Sequence, residues 1–178
     1  MRIIGFTGYK GSGKSEAAKA LHANAIQINF ADALKEMFKD LTTFNALYGP
    51  SEVRNSTCIR GTDVTVRRAL QTVGVAMRDL DPDFWVKLWK MRIMDIAKKY
   101  PLNPIVYKYW TVTDVRFPNE AEAIRDMGGC IIRLSRGINN YDNHISELPL
   151  PEHLVDITIA NNSTVKHLHN EVRKIAEQ

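Results

Sequence analysis

Cysteine is scarce in this chain. Cys58 and Cys130 are the two that occur, neither forms a CxxC pair, and neither lies beside a cluster of metal-ligating residues. A disulfide framework or a thiolate metal centre is therefore excluded as the basis of the fold, and reduced thiols are the expectation. Long apolar runs are also missing; the longest fall far short of the roughly 20 residues needed to span a bilayer. The opening MRIIGFTG carries one arginine and a short apolar stretch that flows into a glycine loop, so it does not read as a secretory signal. No membrane partner is expected, and a cytoplasmic setting is. There is no internal repeat and no low-complexity linker. Basic charge is present but not concentrated: the net charge is +4, and VRR and KK are the notable basic clusters. That pattern argues against a nucleic-acid polymer as partner and suits a small anion.

What is present is ordinary for a globular protein: 178 residues, 44% hydrophobic and 25% charged. This reads as a single domain, 1–178, with enough chain to bury a real core. Short apolar strands alternate with amphipathic helices, which predicts an α/β fold around a parallel sheet. RIIGFT, AIQINF, YKYWTVTDVRF, CIIRL and DITIAN read as five strands. SEAAKALH, ADALKEMFKDL, DVTVRRALQTVGVAMRDL, DPDFWVKLWKMRIMDIAKKY, PNEAEAIRDMGG and TVKHLHNEVRKIAE read as helices. Pro118 opens the fifth of these, and Gly128 with Gly129 stops it. Residues 42–62 read as loop, from their Gly, Pro, Asn and Ser content. Residues 136–152 form a polar stretch long enough for a lid-like loop.

The first chemical signal is GYKGSGKS, which fits G-x-x-x-x-G-K-[ST] with Gly8, Gly13, Lys14 and Ser15 at the fixed positions. A strand precedes it and a helix follows, the context in which such a loop holds phosphates. Gly8, Gly11, Ser12 and Gly13 would turn backbone N–H groups inward around phosphate oxygens, and the helix start adds partial positive charge. Lys14 suits the β- and γ-phosphates and the Ser15 hydroxyl suits Mg²⁺. Glu16 stands where a dinucleotide fingerprint would need its third glycine, so that fold is disfavoured. No N-K-x-D or T-K-x-D occurs to read guanine, and DVRF is not the D-x-x-G that senses a γ-phosphate. A small kinase survives the elimination.

The acceptor side is less determined. At about 100° per residue, Arg67, Gln71, Gly74 and Arg78 fall in one stripe beside an apolar face of Val66, Leu70, Val73, Met77 and Leu80. Two guanidinium groups, an amide and a side-chain-free gap suit a phosphorylated acceptor, since an acceptor phosphate is already anionic and needs positive charge rather than a base. A solvated face with two surface arginines fits the same spacing. Asp32 and Lys35 follow the second strand, where ligands of open α/β sheets bind; Asp32 as a helix cap and Lys35 as a surface lysine fit equally. Asp114 and Arg116 end another strand, with Asp114 as a candidate for Mg²⁺ or for orienting the acceptor, or as a loop-former before Pro118.

Taken together, GYKGSGKS, FADALK, RRALQTVGVAMR with the following FWV, DVRFPNEAEAIRDMGG with CIIRL, HISE and DITIANN resemble the bacteriophage deoxynucleoside monophosphate kinases. They run in the expected order over almost the whole chain, and DVRFPNEAEAIRDMGG is the most specific. The resemblance implies a three-layer P-loop nucleoside-monophosphate-kinase-like fold with about five parallel strands and an acceptor-binding region over 42–80. It implies transfer of the ATP γ-phosphoryl group to a deoxynucleoside monophosphate, with ATP and Mg²⁺ bound by Gly8, Gly11, Ser12, Gly13, Lys14, Ser15 and Glu16. Asp32, Lys35, Arg67, Gln71, Arg78, Trp85 and Arg116 would meet the monophosphate, although the helical spacing of Trp85 also suits a core position. Arg133 and Arg136 would be lid and ATP-side arginines. Lys14, Arg67, Arg78, Asp114 and Arg133 would be the catalytic set, with Ser15 and Asp114 on the metal. His144, Ser146 and Glu147 match the pattern without a mechanism that requires them. A homodimer in the cytoplasm of an infected bacterial host is the implied setting. Kinases of other small metabolites, such as dephospho-coenzyme A or a sugar acid, and a non-catalytic ATP-dependent binding module are the rival readings.

Overall fold

The computed structural model describes residues 2–99, 107–137 and 149–178. Its centre is the strand β1, Arg2–Thr7, buried along nearly its whole length. An unbroken apolar run of this kind marks a parallel strand covered on both faces. Beside it lie β3, Tyr109–Val112, and β4, Cys130–Ser135; β2, Ala25–Gln27, and β5, Ile157–Ala160, form the edges. The order is β2-β3-β1-β4-β5 and every pairing is parallel. The five strands read from the sequence are all present, in a three-layer α/β arrangement.

Alternation along β1 sends side chains to two different layers. Ile4 and Phe6 pack with Ala17 and Ala18 of α1, Lys14–Lys19, and with Leu168 and Val172 of α8, Val165–Ala176. Gly5 faces the opposite way: a Cβ there would come within 2.9 Å of Ile124 on α7, Pro118–Asp126, and within 2.8 Å of Ile131. A side chain at position 5 would force the Ile124 and Ile131 side-chain ends to shift. Chain order reverses on either side of β1, so its carboxyl end is the switch point at which such sheets bind ligands.

The chain divides into two compact units, one of Met1–Asn29 with Ile93–Gln178 and the other of Phe30–Arg92. The first holds the sheet. The second is helical, with α2 at Ala31–Met37, α3 at Phe44–Tyr48, α4 at Ser51–Ser56, α5 at Val66–Leu80 and the start of α6, Phe84–Lys99. Leu34, Phe38, Ala46, Leu47, Ile59, Val66 and Trp85 are its core. The region 42–80 expected to serve the acceptor lies wholly within this second unit.

Three local expectations need correction. The second strand stops at Gln27 rather than Phe30. The backbone N–H of Ile28 still bonds Thr111, but Asn29 then uses its side chain, whose Oδ1 accepts from the Thr113 N–H at 2.9 Å. Asp32 is not a helix cap; it sits inside the first turn of α2, whose N-cap is Phe30. Residues 42–62 are not all loop, since α3 and α4 fall within them. Thr43 caps α3 by accepting from the Ala46 N–H, and Arg54 donates to the carbonyls of Leu47 at 3.1 Å and Gly49 at 3.4 Å. Those bonds satisfy carbonyls that a five-residue helix leaves open at its end. Among the described residues, no helix is long and apolar enough to cross a membrane.

Candidate active site

The glycine loop leaves β1 at its carboxyl end. Gly8 and Gly13 have φ of 133° and 101°, which side-chain-bearing residues rarely adopt. Space forbids a side chain as well: a Cβ at Gly8 would collide with the Leu134 carbonyl oxygen, and one at Gly13 with the amide of Asn161. Gly11 sits at an open tip. The Ser12 N–H bonds the Tyr9 carbonyl at 3.1 Å, closing the turn. Asn161 fastens the loop to the end of β5 by donating from Nδ2 to the Ser12 carbonyl at 2.9 Å. Ser12 is 3% exposed, and its buried Oγ has no hydrogen-bond partner among the described residues.

Lys14 extends back over this loop, its Nζ 2.6 Å from the Gly8 carbonyl and 2.8 Å from the Tyr9 carbonyl. The ammonium is thereby held at the loop itself. Ser15 is exposed at the start of α1. Because α1 has only six residues, its dipole is small, and the loop amides and Lys14 supply most of the positive potential. The Glu16 side chain is paired within the fold. Its carboxylate bonds Lys19 at 2.8 Å and His169 at 3.0 Å, and the Lys19 bond is the main reason its pKa lies below the usual glutamate value.

Arg133 is paired within the sheet unit. Its guanidinium pairs with Glu152 and donates to the Leu150 carbonyl at 2.5 Å, which ties β4 to the 3₁₀ turn Glu152–Leu154. Arg136 is exposed just after β4. His144, Ser146, Glu147 and most of 136–152 lie outside the described residues.

Asp114 and Arg116 occupy the turn between β3 and α7 and are half-buried. Glu120 organises this turn: it is 2% exposed, and its Oε2 accepts from the Arg116 N–H at 2.8 Å and the Phe117 N–H at 3.1 Å. A carboxylate three residues into the helix thus satisfies open N–H groups at the helix start. Thr113 reinforces the same end of the sheet, its hydroxyl bonding Asn29 at 3.1 Å and receiving a bond from Gln27 at 3.4 Å. Glu120→Ala strands two N–H groups and should lower stability by about 2–3 kcal/mol. Glu120→Gln, which keeps an acceptor oxygen, should lose about half as much or less. Denaturant unfolding of both variants checks this.

In the second unit, Thr65 caps α5, its hydroxyl accepting from the Arg68 N–H at 3.3 Å. Val66, Leu70, Val73 and Met77 pack into the core as their spacing predicts, whereas Leu80 is 79% exposed and does not. Arg67, Gln71 and Arg78 line the adjacent half-buried stripe. Arg67 and Arg78 are eleven positions apart, roughly 16 Å along the axis. Arg78 shortens that interval by reaching back one turn, its Nη1 3.0 Å from the Gly74 carbonyl. The Trp85 indole N–H reaches the same carbonyl at 3.0 Å. Gly74 is therefore buried, and serves as an anchor for two side chains rather than as an open gap. Trp85, 3% exposed and edge-on to Phe84, takes the core position that its helical spacing also suited. Lys35 lies with its Nζ 4.9 Å from the centre of the Tyr48 ring.

The structure thus gathers Gly8, Gly11, Ser12, Gly13, Lys14 and Ser15 in one loop, and Arg67, Gln71 and Arg78 on one helix face. Asn161 and Glu120 are the positioning residues that pattern reading missed. The asparagine pair directly after the last strand was the available signal for the first. Glu three residues after Phe117 was the signal for the second.

A protein of Acanthamoeba polyphaga mimivirus, named "Putative deoxynucleotide monophosphate kinase", is 33% identical over 187 residues, covering 97% of this chain and 94% of that protein. The structure of the Mycobacterium tuberculosis APS kinase CysC Cys556Ala mutant aligns over 99% of this chain and 97% of its own, at 15% identity and a TM-score of 0.45. Residues 39–172 match the family model of deoxynucleotide monophosphate kinase. The chain belongs to the deoxynucleotide monophosphate kinase family.

Proposed function

We propose that the chain transfers the γ-phosphoryl group of ATP to the phosphate of a deoxynucleoside monophosphate, giving the diphosphate and ADP. The observation that carries this reading is the pair of arginines on one face of α5, Arg67 and Arg78, in a family member that also carries the glycine loop. A phosphate-holding loop alone serves many reactions, and a second cationic stripe suits an acceptor that is itself an anion.

The loop fits a nucleotide triphosphate, since its glycines leave the backbone bare where Cβ atoms would intrude and Lys14 is already held there. Gly8, Gly11, Gly13 and the Ser12 amide would surround phosphate oxygens, with Lys14 exchanging loop carbonyls for them. Among the described residues no group of three His, Cys, Asp or Glu side chains could cage a metal. A Mg²⁺ ion bound mainly through phosphates and water needs few protein ligands, Ser15 and Asp114 being the candidates. When bound, the ion would neutralise charge on the phosphates. Arg67 and Arg78 would hold the acceptor phosphate, whose oxygen attacks the γ-phosphorus while the bond to the β-phosphate oxygen breaks. No general base is required, because the attacking oxygen carries no proton to remove at neutral pH.

ADP release measured across a panel of acceptors tests the reading. Deoxynucleoside monophosphates should stimulate release at least tenfold over ATP alone. Stimulation by dephospho-coenzyme A or a sugar acid, with none by any deoxynucleotide, would refute it.

A further inference from the structure

Two aromatic rings in the helical unit stand where burial does not explain them. Phe44 is 78% exposed and Tyr48 is 40% exposed, although both lie on α3 beside the buried Ala46 and Leu47. Their spacing of four residues puts them on one face of that helix, and the rings stack with centroids 4.8 Å apart and planes 29° apart. The helix holding them is firmly fixed by the Thr43 cap and the Arg54 bonds, and Lys35 rests 4.9 Å from the Tyr48 ring centre. An exposed phenylalanine of this kind adds nothing to the core and presents a flat π-face to solvent.

We propose that Phe44 and Tyr48 form the platform on which the nucleobase of the acceptor stacks, with Lys35 beside it. This rests on the acceptor reading given above. A base offers a π-face to such a ring whatever its identity, and flanking polar groups can reach its edge. Burial, and then the Asp32 and Glu36 carboxylates, push the Tyr48 phenol above its ordinary pKa, so it remains a neutral ring with an O–H to donate. Lys35 and Asp32, the two residues that the sequence associates with the acceptor, are thus connected to this ring pair within one unit. The same unit carries Arg67 and Arg78, so base and phosphate of one acceptor have separate binding groups there. An interface with a second copy of the chain would use the apolar surface but has no need of the lysine and carboxylates that surround it.

Steady-state kinetics of Phe44→Ala, with the deoxynucleoside monophosphate that the wild-type enzyme turns over fastest, tests the platform. The acceptor KM should rise roughly 5- to 100-fold, the scale of losing one base–aromatic stack. The KM for ATP should stay within twofold. Competition by deoxyribose phosphate, which has no base, should be unchanged, and Phe44→Trp should restore most of the acceptor affinity. An unchanged acceptor KM in Phe44→Ala overturns the platform, and so does an equal weakening of deoxyribose phosphate. A change in sedimentation with no change in KM also overturns it and assigns the face to contact between copies. If Arg78→Ala raises the acceptor KM while Phe44→Ala does not, the acceptor reading stands and the platform alone falls. If the wild-type enzyme turns over no deoxynucleotide, both fall together.

Discussion

Replacing Lys14 with methionine is expected to lower kcat/KM for ATP roughly a hundred- to a thousandfold, the usual scale for removing one preorganised donor from a site of developing charge. Phosphoryl transfer leaves the protein little covalent chemistry to do, so positioning and charge carry most of the catalysis. Lys14 is suited to both. Its ammonium is already held at the loop by the Gly8 and Tyr9 carbonyls, at 2.6 and 2.8 Å. Methionine keeps most of the aliphatic stem and removes the charge. Since α1 is short, no long helix dipole remains to compensate. Folding should be little affected, because the two carbonyls released belong to a loop that water can reach. Activity within fivefold of wild type, measured by ADP release with the thermal midpoint unchanged, would remove Lys14 from the mechanism.

Arg78→Ala is expected to raise the KM for the acceptor roughly 10- to 100-fold and to lower kcat, while the Kd for ATP stays within twofold. The estimate is that of one or two charge-assisted hydrogen bonds to phosphate. Arg67→Ala should behave alike. For Arg78 the structural cost is limited, because the Gly74 carbonyl keeps the Trp85 indole N–H when the guanidinium is removed. Lysine should rescue either position poorly, since a point charge does not replace a planar fork of donors. Isothermal titration with ATP alongside acceptor kinetics separates the two effects. Equal loss of ATP binding would mean that these arginines do not belong to the acceptor.

Much of the fold was legible because its signals are local. The apolar run of β1, the glycine loop and Pro118 at the start of α7 each act within a few residues. The misreadings share a different cause. Five- and six-residue helices such as α3 and α4 are too short to hold by propensity, and depend on packing and on Arg54 reaching back across the turn. Their surroundings read as loop because Gly49 and Pro50 do mark the boundary between the two helices, while Asn45 and Asn55 lie inside them. The turn of the glycine loop was legible, since its residues are contiguous. Some contacts of Glu16 and Arg133 are invisible in one dimension: His169 lies 153 positions from Glu16, and Glu152 lies 19 from Arg133. Trp85 shows the same limit. Its helical spacing allowed a core position, and the bond to Gly74 eleven residues earlier settles where the indole goes.

The residues that emerged only from the structure are mostly ones that hold others in place. Asn161 clamps the loop carbonyl at Ser12, and Glu120 fixes the turn that carries Asp114 and Arg116. Neither type of residue is chemically distinctive in a sequence. Each becomes informative once its acceptor or donor is known to be backbone at the carboxyl end of the sheet.

The central claim is that phosphate moves from ATP to a deoxynucleoside monophosphate, and the fate of the γ-phosphate tests it most directly. ATP labelled at the γ-position, incubated with the protein, Mg²⁺ and each deoxynucleoside monophosphate, should yield labelled deoxynucleoside diphosphate in proportion to the ADP formed. Label recovered as inorganic phosphate, or on no deoxynucleotide at all, would contradict the account.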